Sequence, residues 1–99
     1  MTILLDHPRW PAHGTRFAHL ASDTSVEELH AFAAALTRTL PRPLRFHRDH
    51  YDVPERAWSA CVDAGALVVT THELVRRLRA AGLRVRATSA GTGPRRRAG

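Results

Sequence analysis

Apolar and polar positions along this chain fall into short blocks, and the period changes from block to block. Residues 2–5 form a compact apolar run that reads as a first strand. Residues 6–14 fit no regular period. Pro8 and Pro11 remove backbone donors and push the residues before them toward extended backbone, so helix is excluded there. Gly14 suits a turn that ends this loop. Residues 16–20 are a second strand candidate. Beyond them the period becomes helical: Leu29, Phe32, Ala33, Leu36 and Leu40 form one stripe on a helix over residues 26–39. Ser25 and Glu28 have the spacing of a capping box at its start, and Pro41 and Pro43 end it.

Residues 44–47 read as a third strand and residues 48–53 as a loop. Asp52 is placed to cap the next helix, with Pro54 in its first turn and Glu55 at the capping-box position. Ala57, Trp58, Cys61 and Val62 give that helix its inner side, and Gly65 closes it as a left-handed cap residue. Residues 66–69 are another apolar strand. Thr70 and Glu73 repeat the capping box; Leu74, Val75, Leu78 and Ala81 then face inward, and Arg76 and Arg79 face outward. Residues 83–86 can add an edge strand. The order β-β-α-β-α-β-α predicts an α/β fold. Its sheet is small, largely parallel or mixed, with about four to five strands packed against three helices.

Composition narrows the class. The 99 residues suit one domain over residues 1–86, followed by a disordered Arg-rich tail over residues 87–99. The net charge of +6 does not by itself indicate a nucleic-acid protein. Arg84, Arg86, Arg95, Arg96 and Arg97 lie beyond Leu83 with no acid among them, so the part before them is close to neutral. All 15 basic residues are Arg, which reflects a GC-rich genome more than a selected surface. The tail offers weak, phosphate-directed contact with nucleic acid. No apolar run is long enough to span a membrane, and the first residues lack the charged start of a signal peptide, so a cytoplasmic location is expected. Cys61 has no partner for an internal disulfide and reads as a small buried hydrophobe.

The candidate chemistry lies in the loops. Of seven histidines, His7, His13, His47 and His50 sit in or beside the segments after the first and third strands. Ligands of open α/β sheets bind at the carboxyl ends of strands, so a parallel sheet would bring the two segments together. Asp6 is then expected to orient His50 as an acid–base pair. Trp10, held between prolines, offers a flat face. His13, Asp49 and Tyr51 supply hydrogen bonds, and Arg48, with Arg9 and Arg45, supplies donors for a phosphate or carboxylate. His50 and Asp52 with Asp6 and His13 contain metal-ligand types, but the tight Cys/His spacing of a zinc site is missing. No metal is predicted, and no cofactor is specified. His19, beside Phe17 and Leu20, reads as a packed, hydrogen-bonded side chain. Walker, dinucleotide, GxSxG and HExxH motifs are all absent.

Several segments carry a family resemblance. They are Asp6-x-Pro8-Arg9-Trp10-Pro11-Ala12-His13-Gly14, His19-Leu20-x-Ser22-Asp23-Thr24-Ser25 with Glu28-Leu29-His30-Ala31-Phe32-Ala33, Arg48-Asp49-His50-Tyr51-Asp52-Val53-Pro54, and Gly65-Ala66. Together they resemble the small bacterial and phage proteins grouped as DUF4031, a domain of unknown function, over roughly residues 2–86. His7 stands where relatives are expected to carry Pro or Asp, which argues against a special role for it. The resemblance implies no activity. It does imply that His13, His19, Asp49, His50 and Tyr51 are family features with no cap or turn to explain them. The first expectation is therefore a pocket for a small phosphate-bearing or nucleotide-like ligand, with His/Asp acid–base chemistry. A nucleic-acid accessory protein using the Arg tail, and an interaction module of a regulatory, phage or toxin system, are the alternatives.

Overall fold

In the computed structural model, which describes residues 2–84, two tight turns set the shape of the sheet. His13 and Gly14 both have positive φ, at 50° and 80°, and join β2 (Trp10–Ala12) to β3 (Thr15–Ser22). A two-residue turn with both positions left-handed matches the twist of the strands it connects, and Gly14 meets the second requirement without a Cβ penalty. Arg48, at φ 61°, opens the equivalent turn between β4 (Arg45–His47) and β5 (His50–Pro54). Residues 6–14 and 48–53, expected as loops, thus each contain a strand. Pro11 obscures β2, which lies at an edge where its missing donor costs no ladder bond. In β5 the polar residues His50 and Asp52 alternate with Tyr51 and Val53. That is a strand period in which only one face is apolar.

The full order is β1 (Ile3–Leu5), β2, β3, α1 (Val26–Thr37), β4, β5, α2 (Glu55–Asp63), β6 (Leu67–Val68) and α3 (Thr71–Ala80). The fold is α/β, and its six strands slightly exceed the expected number. The sheet is mixed, ordered β4-β5-β3-β1-β6, with β2 on the free half of β3. Only β1 and β6 pair in parallel; the other described pairs are antiparallel. By that chain of pairings β1 and β4 run in opposite senses. The carboxyl ends of these two strands therefore do not meet, and the expected convergence there is corrected.

Alternation along β3 divides the packing. Ala18 and Leu20 point to one face, where Leu5, Leu29, Leu36, Val53, Ala57 and Cys61 complete the main core beneath α1 and α2. Ala21 points to the other face and meets Leu4, Leu74 and Leu78 beneath α3. Over β3, β5 and β4, the rest of that second face carries no helix among the described residues.

The helix starts follow the sequence in two cases of three. Ser25 accepts from the Glu28 amide at 3.0 Å, and Thr70 from the Glu73 amide at 3.0 Å. The first capping box is only half made, because the Glu28 carboxylate accepts from the Ser22 hydroxyl instead. Asp52 caps nothing: α2 starts at Glu55 behind Pro54, with no side-chain cap. The reason is strand parity. Asp52 lies on the sheet face opposite the one that α2 covers. Leu83 and Arg84 are not in a strand, and residues 85–86 of that expected strand lie outside the described residues, as does the Arg-rich tail.

Candidate functional site

A row of charged and imidazole side chains crosses the uncovered part of the sheet. His19 on β3 is the register partner of Asp52 on β5, and Asp52 is the partner of Arg45 on β4. Asp6, one residue beyond β1, extends the row on the other side, its amide donating to the His19 carbonyl at 3.1 Å. Asp6, His19, Asp52 and Arg45 therefore stand side by side on four neighbouring strand lines. His50 lies two residues from Asp52 on the same face of β5.

Asp6 anchors this row. It is fully buried, and its carboxylate accepts from the His19 amide at 2.6 Å, His19 Nδ1 at 2.8 Å and the Thr71 hydroxyl at 2.7 Å. Trp58 Nε1 holds the Asp6 carbonyl at 2.8 Å. Burial alone would raise the Asp6 carboxyl, but the hydrogen bonds from His19 and Thr71 outweigh it and hold the group below its ordinary value. An ionised Asp6 accepts the Nδ1 proton of His19, which leaves Nε2 of that ring as the free lone pair.

A second dyad repeats the pattern. His50 Nδ1 lies 2.8 Å from an Asp49 carboxylate oxygen. Arg84 donates to the same carboxylate through Nε and Nη2, each at 2.7 Å. Here too burial works upward, and the hydrogen bonds from Arg84 and His50 outweigh it, bringing Asp49 down to about 2. The other nitrogen of His50, Nε2, sits 3.2 Å from an Asp52 oxygen. The His19 and His50 rings meet edge to face, with centroids 4.8 Å apart. One ligand atom each from His19, His50 and Asp52 lie within 4.8 Å of one another. These three side chains are the only such His/Cys/Asp/Glu group among the described residues.

The cluster opens into a pocket of about 190 Å³ lined by Trp10, His13, Phe17, His19, Arg45 and Asp52. Trp10 packs its ring edge-on to His19 at 5.4 Å yet remains 47% exposed, a large apolar surface kept in water at the pocket wall.

The residues expected from sequence are distributed unevenly. Asp6, Trp10, His13, Asp49 and His50 are at or beside this cluster. The expected Asp6–His50 pair does not form: Asp6 orients His19, and Asp49, the neighbour of His50 at the turn, takes that role. Tyr51 alternates to the opposite face, where its hydroxyl meets His30 Nδ1 at 2.7 Å and its ring packs on Phe46. Arg48 is exposed at the tip of its turn, in the left-handed conformation. His13 contributes to the pocket wall from the other turn. His7 is exposed and stacks on Trp58. His19 and Asp52, read as a packed histidine and a helix cap, are central instead. Their signal was available once 50–54 was read as a strand, because His50 and Asp52 then share a face.

No curated protein and no solved structure matches the chain. No helix among the described residues is long and apolar enough to cross a membrane. A family model described as a protein of unknown function, DUF4031, matches residues 3–81, a span that includes Asp6, His19, Asp49, His50 and Asp52, while Arg84 lies just beyond it. The chain therefore belongs to the DUF4031 family.

Proposed function

We propose that this protein binds a small anionic, nucleotide-like ligand in the pocket beside Trp10 and acts on it by acid–base chemistry. The observation that carries the reading is the pair of carboxylate-oriented imidazoles, His19 on Asp6 and His50 on Asp49, of which His19 lines that pocket and His50 packs edge to face behind it. An imidazole fixed through Nδ1 presents Nε2 in one orientation, as a general base requires. Arg45 supplies a guanidinium for a phosphate or carboxylate of the ligand. Trp10 and Phe17 supply aromatic surface for a planar ring.

A thermal-shift panel of nucleotides and sugar phosphates tests this. A compound present at about a hundred times its dissociation constant adds about 2.7 kcal/mol, which raises the melting point of a domain this size by roughly 10 °C or more. The expected pattern is a shift in the parent that is lost in Arg45→Ala and Trp10→Ala. Both residues are exposed, so these variants should fold as the parent does. A shift retained in both variants, or no shift with any anionic compound, would discard the pocket.

A further inference from the structure

The contact between His50 and Asp52 is chemically incomplete. His50 Nδ1 faces Asp49, whose two carboxylate oxygens also accept from Arg84, so the ring proton belongs on that nitrogen. Nε2 then turns a lone pair toward an Asp52 oxygen 3.2 Å away. Two lone pairs at that distance repel unless a cation lies between them. A proton would satisfy two groups, but a third donor converges on the same point. His19 brings a ring nitrogen within 4.8 Å of both, and because its Nδ1 is committed to Asp6, Nε2 is the nitrogen left to bind.

We propose that His19, His50 and Asp52 hold a divalent first-row transition-metal ion, the two histidines through Nε2 and the aspartate through a carboxylate oxygen. The spacing suits such an ion. Ligand atoms about 2.0–2.1 Å from a tetrahedral centre lie about 3.3 Å apart, close to the 3.2 Å between His50 Nε2 and Asp52. The other ligand atoms lie within 4.8 Å of one another, so closure on an ion draws them inward by up to about 1.5 Å. Two imidazoles and one carboxylate form a donor set suited to zinc or ferrous iron rather than to magnesium or calcium, which prefer oxygen alone.

The surroundings match those of built metal sites. Metal-bound histidines usually give their other ring nitrogen to a carboxylate, and both do so here. Asp6 is buried in that role, and Arg84 locks Asp49 in the other. Charge points the same way. Arg84 offsets Asp49, whereas Asp6 and Asp52 have no Arg within ion-pair distance among the described residues, although Arg45 stands beside Asp52 in the register. Three protein ligands leave at least one coordination position. Because His19 and Asp52 also line the Trp10 pocket, that position faces the pocket. The inference rests on the same cluster as the proposed function and places a metal ion where that reading places only protons.

The full chain, stripped with chelator, is titrated with Zn²⁺ by calorimetry and with Co²⁺ by visible absorption. The expected result is one ion per chain and the intense absorption bands of low-coordinate Co²⁺. Both should be lost in His19→Gln and Asp52→Asn, and both should persist in the surface variant His72→Ala. Asp6→Asn, which leaves all three ligands in place, should weaken binding by roughly 10–100-fold. His19 and Asp52 are partly exposed, and circular dichroism verifies that their variants fold. Binding that is absent in the parent, or unchanged in His19→Gln and Asp52→Asn, overturns the metal centre. The nucleotide panel repeated with chelator separates the two readings. Ligand stabilisation without one-to-one metal binding removes the metal and leaves the pocket. One-to-one metal binding without ligand stabilisation upholds the metal and removes the pocket reading.

Discussion

Neighbouring residues of β3 serve opposite purposes. Ala18 and Leu20 are sealed in the core under α1 and α2, whereas His19 between them stands on a face where only one end is covered, by α3. The same division runs through β5, where Val53 is buried in the core and Asp52 faces the pocket. One residue of offset thus separates stability from chemistry. A strand can change its reactive set without disturbing its packed set, provided the register holds.

Substitutions on the two faces should therefore separate sharply. Leu20→Ala removes a fully buried side chain from the main core and is expected to cost about 2–5 kcal/mol, a large part of the total stability of so small a domain. Urea unfolding measures it. His19→Gln should cost far less in the same assay while removing metal and ligand responses. A comparable stability loss for both would erase the distinction between the faces.

Trp58→Phe comes next. It keeps the aromatic bulk but leaves the Asp6 carbonyl without its donor, an expected loss of about 1–3 kcal/mol by denaturant melt. Thr71→Val removes one donor to the Asp6 carboxylate, for about 1.5–3 kcal/mol. Its effect on metal affinity should exceed that of Trp58→Phe, because it acts on the carboxylate itself.

The core face has a pH signature of its own. Burial pushes the Cys61 thiol up to about 11 from an ordinary 9 and raises Tyr51 as well. The unfolded chain loses these protons first, so stability is full below about pH 9 and falls between pH 9 and 11. At neutral pH the thiol should resist a disulfide reagent until the protein unfolds; prompt labelling of the native protein would contradict its burial. The smallest effect is expected at Glu73 on exposed α3. Hydrogen bonds from Arg76 and Arg77 draw it down to about 2, so its contribution is present above pH 4.5 and fades as pH falls toward 2. Added salt should diminish it further, which acid titrations at two ionic strengths would reveal.

Where local rules decide structure, the sequence was readable. Ser25, Thr70 and Gly65 mark helix ends, and the apolar stripes of α1 and α3 name most of the residues that pack; Ala81, expected inward, is exposed at the end of α3. The candidate site depends on what local rules omit. Reading residues 48–53 as a loop discarded the alternation that sends Tyr51 to one face and His50 and Asp52 to the other. It also made Asp52 available as a cap. The bond from His19 to Asp6 depends on register between strands 13 residues apart, which neither segment specifies alone. Asp49 sits next to His50 in the chain, yet its pairing with that ring depends on the turn that brings the two side chains together.

The buried carboxylate of Asp6 also bears on how the molecule assembles. The groups that hold this residue come from 13, 52 and 65 positions away in the chain, on β3, α2 and α3. A carboxylate out of water is tolerable only when its donors are all in place. A folding intermediate lacking α3 would leave it one donor short, so docking of the last helix completes the shell that holds Asp6. Non-local closure of this kind slows folding and makes it cooperative. A newly made chain would have no partly assembled Asp6–His19 dyad: the arrangement would be complete only when its fold was finished.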